Sequence, residues 1–156
     1  MKLLLLLLML CLGGTAVILL TARIFWGGVL QEPTSVDVQL DAPAQVVLGE
    51  PFEVTLHLTN LITASQTLHS IDIATGYLDN VPLNRSEPAY TELKTLPLSR
   101  FTMVTFEQEI PVDGSTTVTL QFVGEAVGTF EGILDVCLQD GTLCLAVPLE
   151  TAVVER

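Results

Sequence analysis

The hydrophobic pattern changes character once along the chain. From Leu3 to Leu20 it is an unbroken uncharged run of 18 residues, dominated by leucine. That is near the minimum length for a helix to cross a bilayer core, and Ile24, Phe25 and Trp26 extend it past Arg23. From Val36 onward the pattern alternates with period two, as half-buried strands do. Val36, Val38 and Leu40 alternate with Asp37 and Gln39, and Asp41-Ala42-Pro43 then turns into a short edge segment at 45–48. After the turn Gly49-Glu50-Pro51, Phe52, Val54, Leu56 and Leu58 face inward, with Glu53, Thr55, His57 and Thr59 outward. Further strands are predicted at 67–73, 101–110, 118–122, 130–138 and 143–153, separated by turns at Asp113-Gly114 and Gly124–Gly128.

Residues 74–100 are the least regular. Pro82, Pro88 and Pro97 argue against a central strand there, and Ser86-Glu87-Pro88-Ala89 reads as the start of a one- or two-turn helix capped by Ser86. The stretch is expected to cross between two sheets. The expected organisation is a transmembrane signal anchor at 1–26, a linker at 27–34 and an all-β sandwich of about seven strands at 35–156. The eight-residue linker reaches at most roughly 25 Å, which holds the domain close to the bilayer.

Arg23 is placed to snorkel and Trp26 suits the headgroup zone. A cleaved signal peptide is the rival reading, but its apolar region is normally shorter and ends in a small-residue site. Cys11 follows Leu10 rather than a small residue, a poor setting for lipidation. Lys2 favours a cytoplasmic amino terminus, while Arg23 opposes it.

Charge sharpens the division. All 18 acidic residues lie from Glu32 onward, where only Arg85, Lys94, Arg100 and Arg156 oppose them, so this part carries a net charge of −14. Such a surface repels phosphate, which argues against nucleic-acid binding, and it favours cationic partners.

Candidate chemistry is sparse. His57 is expected on an outward face, and His69 is expected to cap the core beside Ile71 and Ile73. Neither has a neighbour at zinc-ligand spacing, so no metal or cofactor is expected. Asp79-Asn80 and the pair Asp135 and Asp140 are the best calcium candidates, yet no calcium-loop pattern accompanies them. Glu107 and Glu109 share a strand face that alternation turns to solvent. Asn84-Arg85-Ser86 is a glycosylation sequon, meaningful only in a eukaryotic secretory pathway. No nucleophile elbow, phosphate loop or dinucleotide fingerprint is present.

Cys137 and Cys144 are more specific. Asp140-Gly141 between alternating strands signals a hairpin, and centring the turn there places Cys137 opposite Cys144 within disulfide range. Val136, Leu138, Leu143 and Leu145 then point inward, and Asp135, Cys137, Cys144 and Ala146 outward. A structural staple, a thiol-exchange pair and two free thiols all fit this placement, and the staple is preferred.

Two resemblances follow. The stretch from Ala44 to Asn60, with its Gly49-Glu50-Pro51 turn before an alternating strand that ends in Asn, resembles the opening strands of bacterial extracytoplasmic immunoglobulin-like domains. The resemblance implies an immunoglobulin-like β-sandwich. The cross-sheet cysteine pair with an intervening tryptophan is absent, since the chain's Trp26 lies in the apolar run. The hairpin from Val136 to Leu145 resembles the cysteine hairpin in ectodomains of transmembrane thiol:disulfide interchange proteins, which implies electron shuttling by Cys137 and Cys144.

The sequence therefore points to a single-pass protein of the plasma membrane with its C-terminal domain extracytoplasmic. Its partners are expected to be the membrane, through the N-terminal helix, and another protein. The expected role is a non-enzymatic interaction or accessory module. The alternatives are a thiol-disulfide redox protein using Cys137 and Cys144, and a small stabilising subunit of a membrane complex.

Overall fold

Period-two alternation buries one face of each strand, and two such sheets close a core only by stacking on each other. The computed structural model describes residues 35–95, 99–139 and 141–156. Its strands are β1 (Val36–Asp41), β2 (Gln45–Val47), β3 (Pro51–Asn60), β4 (Gln66–Ala74), β5 (Leu83–Glu87), β6 (Glu92–Thr95), β7 (Phe101–Ile110), β8 (Ser115–Val123), β9 (Gly128–Leu138) and β10 (Leu143–Val154). One short helix, α1 (Thr75–Leu78), follows β4. A four-stranded sheet runs β1-β3-β8-β5, and a six-stranded sheet runs β2-β10-β9-β4-β7-β6. Neighbours are antiparallel except β2, which lies parallel to the end of β10.

The facing sides supply the core. Phe52, Val54, Leu56 and Leu58 of β3 meet Val118, Leu120 and Phe122 of β8 within one sheet, against Leu68, Ile71, Ile73, Val104, Leu134 and Val136 of the other. A fully buried leucine such as Leu56 contributes about 1.5–3 kcal/mol through apolar burial. Phe122 stacks on Phe52 at 5.8 Å between centroids and meets Tyr77 in a T-shaped pair at 5.8 Å.

The turn that carried the first resemblance has a clear physical basis. Gly49 adopts φ +74°, and Glu50 N donates to Val47 O at 3.0 Å, closing the corner before Pro51 opens β3. At the far end of β3, buried Asn60 ties two loops together. Its Nδ2 donates to Ala64 O at 2.8 Å and Pro111 O at 3.1 Å, and its Oδ1 accepts from Ile62 N at 3.0 Å.

The irregular stretch differs from expectation. Among the described residues ten strands form rather than about seven, because residues 74–95 supply β5 and β6 as edge strands, where prolines at their margins are tolerated. Ser86 does not cap a helix. It lies in β5, and its Oγ donates to Pro88 O at 2.7 Å and accepts from Tyr90 N at 3.1 Å, folding the chain around a cis Glu87–Pro88 bond. The helix lies earlier, at α1, where buried Tyr77 anchors it.

Among the described residues no helix is long and apolar enough to cross a membrane. The run at 3–20, Cys11, Arg23, Trp26, the linker at 27–34, Pro97 and Asp140 lie outside those residues.

Candidate functional site

The β9–β10 hairpin carries the cysteines. Cys137 pairs with Cys144 in the ladder and Leu138 pairs with Leu143, leaving a four-residue loop at 139–142. Gln139 (φ +60°) and Gly141 (φ +81°) bend it, and Gly141 N donates to Leu138 O at 3.1 Å. The two cysteines form a disulfide with their Cα atoms 4.0 Å apart, the close spacing of a non-hydrogen-bonded antiparallel pair. Neither sulfur carries a hydrogen, so the approaches of Cys137 Sγ to Asp135 O (3.6 Å) and Cys144 Sγ to Gly141 O (3.7 Å) are van der Waals contacts.

The expected exposure of this hairpin is half right. Cys144 is exposed, but Cys137 is only 1% exposed, because β9 is a central strand and Cys137 lies between Cys144 and Ser70 of β4. Leu143, expected inward, is 44% exposed, and Leu145 is half-buried. Here β10 is an edge strand, since β2 reaches only Ala152–Val154.

A bulge displaces His69. Along β9 the pairing steps from Leu138 to Cys137 while β4 steps from Leu68 to Ser70, so His69 is the extra residue. Leu68 therefore shares the inner face with Ile71 and Ile73, and His69 does not cap the core. Its Nδ1 lies 2.5 Å from Glu107 Oε1, and Glu107 (φ +54°) is itself the extra residue on β7. The ring lies under the hairpin tip: a Cβ on Gly141 would sit 3.0 Å from His69 Cδ2. His57 is exposed as expected, with Nδ1 3.2 Å from Thr117 Oγ1.

The outer face of the six-stranded sheet has an ordered composition. Pro148 pairs with Ile133 across β10 and β9, and Ala74 borders the same hollow and pairs with Phe101 of β7. These four residues form an apolar strip across four strands. Glu131 pairs with Glu150 on one side of the strip, and Asp72 pairs with Asp135 on the other. Like charges directly opposed across a ladder repel. Burial, and then the nearby Asp72, raise the Asp135 carboxyl above its ordinary range. Ser70 Oγ donates to Asp72 Oδ1 at 2.8 Å. Among the described residues the basic side chains that meet a carboxylate do so at His69–Glu107 and Arg156–Glu50, so none of these four carboxylates has a basic partner. Lys94 of β6 lies at the end of the aspartate row, beyond Met103. Beneath the strip, Gly132 lies against the ring of Tyr77, whose hydroxyl is 2.8 Å from Thr151 Oγ1.

The remaining candidates stay apart. Asn84 Nδ2 donates to Gln121 Oε1 at 3.0 Å on the other sheet. Glu109 accepts a 2.8 Å bond from Ser65 Oγ and does not join Glu107 in a site. Among the described residues no group of three or more histidine, cysteine, aspartate or glutamate side chains is arranged to hold a metal. The strip and its flanking pairs escaped sequence reasoning because they depend on which strands are neighbours.

No protein-family model matches the chain, and no curated protein does. Solved structures do. The CARDB domain of PF1109 from Pyrococcus furiosus superposes with a TM-score of 0.50 at 11% identity, over 81% of this chain and 100% of that one. The chain is an all-β, immunoglobulin-like sandwich. The cupredoxin domain of amoB from Nitrosocaldus yellowstonii (TM-score 0.48, 12% identity, 81% and 91% covered) and a cohesin module from Clostridium perfringens (0.45, 15%, 79% and 99%) are looser likenesses. At these identities the match to the CARDB domain speaks for fold alone. Within this immunoglobulin-like frame, the six-stranded sheet offers a broad outer face spanning β2 to β6.

Proposed function

We propose that this protein is a non-enzymatic interaction or accessory module, anchored in the plasma membrane by residues 1–26 with its β-domain on the extracytoplasmic side. The observation that carries the binding role is the outer face of the six-stranded sheet. There Ile133 is 43% exposed beside exposed Pro148, although the core between the sheets is closed by fully buried side chains. An apolar strip in water costs free energy and is a feature of binding faces. The anchor rests on the uncharged run at 3–20, and the extracytoplasmic side on the acidic remainder and the disulfide.

Site-specific photo-crosslinking in intact cells tests the binding role. Crosslinkers at positions 133 and 148 are expected to yield a discrete adduct. Absence of an adduct there and at positions on the other sheet, such as 57 and 119, overturns the reading. Protease added outside spheroplasts tests the topology: residues 32–156 are expected to be digested, and full protection until lysis refutes the assigned side.

A further inference from the structure

We propose that the outer face of the six-stranded sheet receives a cationic amphipathic helix from a partner protein, laid along the Pro148–Ile133–Ala74–Phe101 strip. This rests on the interaction-module reading and gives the partner a chemistry. The geometry supplies the dimensions. Glu131 and Asp135 are four residues apart on β9, roughly 13 Å at the rise of a strand. A helix with its side chains is about 10–12 Å across, so one resting on Ile133 has a flank beside each carboxylate pair. The strip crosses three strand-to-strand intervals, roughly 14 Å, which matches about nine residues of helix. Its apolar stripe would cover Ile133 and Pro148. Lysine or arginine on one side would meet Glu131 and Glu150, and on the other Asp72 and Asp135.

Charge selects this occupant over the others. The four carboxylates stand as two repelling pairs without a basic partner among the described residues, and Asp135 is already part-desolvated. A cationic flank on each side relieves both repulsions. A second copy of the chain, with net charge −12, would add to them, and an anionic lipid surface would do the same.

The test uses the full chain in nanodiscs of zwitterionic lipid, with empty nanodiscs as background. The probe is a fluorescent synthetic helix bearing a leucine stripe flanked on both sides by lysine, and the control probe has glutamate at the lysine positions. The expected result is saturable binding of the lysine probe that weakens severalfold as salt rises from about 50 to 200 mM, with none by the glutamate probe. Asp72→Asn with Asp135→Asn, and separately Glu131→Gln with Glu150→Gln, should each weaken binding about tenfold and flatten its salt dependence. Ile133→Ser should weaken it similarly with the melting temperature preserved. Glu53→Gln, on the other sheet, should change nothing.

Failure of the lysine probe to bind overturns the proposal, as does equal weakening by Glu53→Gln. So does concentration-dependent self-association through position 133, or binding only to anionic nanodiscs. Should the probe fail while crosslinks in cells persist, this partner chemistry falls and the interaction module stands. Should both fail, the module reading falls with it.

Discussion

Gly132→Ala isolates the packing beneath the strip. A Cβ built on Gly132 would lie 2.9 Å from Tyr77 Cβ, 2.9 Å from its Cγ and 3.0 Å from its Cδ2. Tyr77 has little room to yield. It is 1% exposed, its ring packs at right angles to Phe122, and its hydroxyl is hydrogen-bonded with Thr151. The contact is with the root of the side chain, so rotating the ring does not relieve it. Inserting one methyl into such packing costs about 1–3 kcal/mol, which at about 3–5 °C per kcal/mol for a domain of this size lowers Tm by roughly 3–15 °C. Calorimetry and urea titration read the loss. Gly76→Ala is the control: nothing lies within 4 Å of its Cβ, and the change should stabilise by about 0.4–1 kcal/mol through the unfolded state. In a Tyr77→Gly background, which removes the Cβ together with the ring, the penalty at position 132 should largely disappear. Equal Tm for Gly132→Ala and wild type, or an undiminished penalty without Tyr77, would refute the reasoning.

Three further outcomes are expected. Tyr77→Phe should cost about 1–2 kcal/mol in urea titration, because Thr151 Oγ1 loses its partner in a site with no exposure. Native protein should alkylate at neither Cys137 nor Cys144 until reduced, by mass spectrometry, and the Cys137→Ala, Cys144→Ala pair should lose about 2.5 kcal/mol for the eight-residue loop. The raised carboxyl of Asp135 sets a pH dependence, because folding favours its protonated form. The stability it contributes is full below its unfolded pKa, about 3.9, and is lost as pH rises through the higher folded value. Asp135→Asn should therefore stabilise the protein at pH 7 by about 0.2–1 kcal/mol, with the gain vanishing near pH 3 on thermal melts.

The strands with strict alternation were legible because period two, bounded by glycine and proline, has one physical solution. Phe52 to Leu58 and Val118 to Phe122 face the core as read, and Cys137 meets Cys144 as the Asp140-Gly141 centre requires. What sequence missed has local causes without local signals. The bulges at His69 and Glu107 insert one residue each and reverse a face, yet Glu107 takes its positive φ without being glycine. Edge strands β5 and β6 lack alternation because they bury little: every residue of β6 is exposed. Tyr77 with Leu78 was a clue to α1, two large side chains directly after the regular alternation of β4 ends. The apolar strip combines Pro148, Ile133, Ala74 and Phe101, residues up to 74 positions apart in sequence that only the strand order brings together.

The disulfide and the strip are connected through register. On β9 and β10 the outer-face pairs run Cys137–Cys144, Asp135–Ala146, Ile133–Pro148, Glu131–Glu150. A slip of β10 by one residue would turn Pro148 and Glu150 to the interior and Leu149 to water, removing one end of the strip and the Glu131–Glu150 pair. Beyond the reach of β2, β10 has a neighbour on one side only, so the ladder to β9 alone holds that register. A covalent link at the open end of the ladder fixes it. The surroundings of the sulfurs suit permanence better than exchange. Attack by an external thiolate on exposed Cys144 would release Cys137 as a thiolate in a buried position, facing the carbonyl of Asp135 with the Asp72–Asp135 pair one row away. Carbonyl oxygens and carboxylates repel a thiolate formed beside them, and a leaving group so disfavoured departs slowly. The Asp72–Asp135 pair that prepares one flank for a cationic helix thus protects the bond that keeps the other flank, Glu131–Glu150, in register.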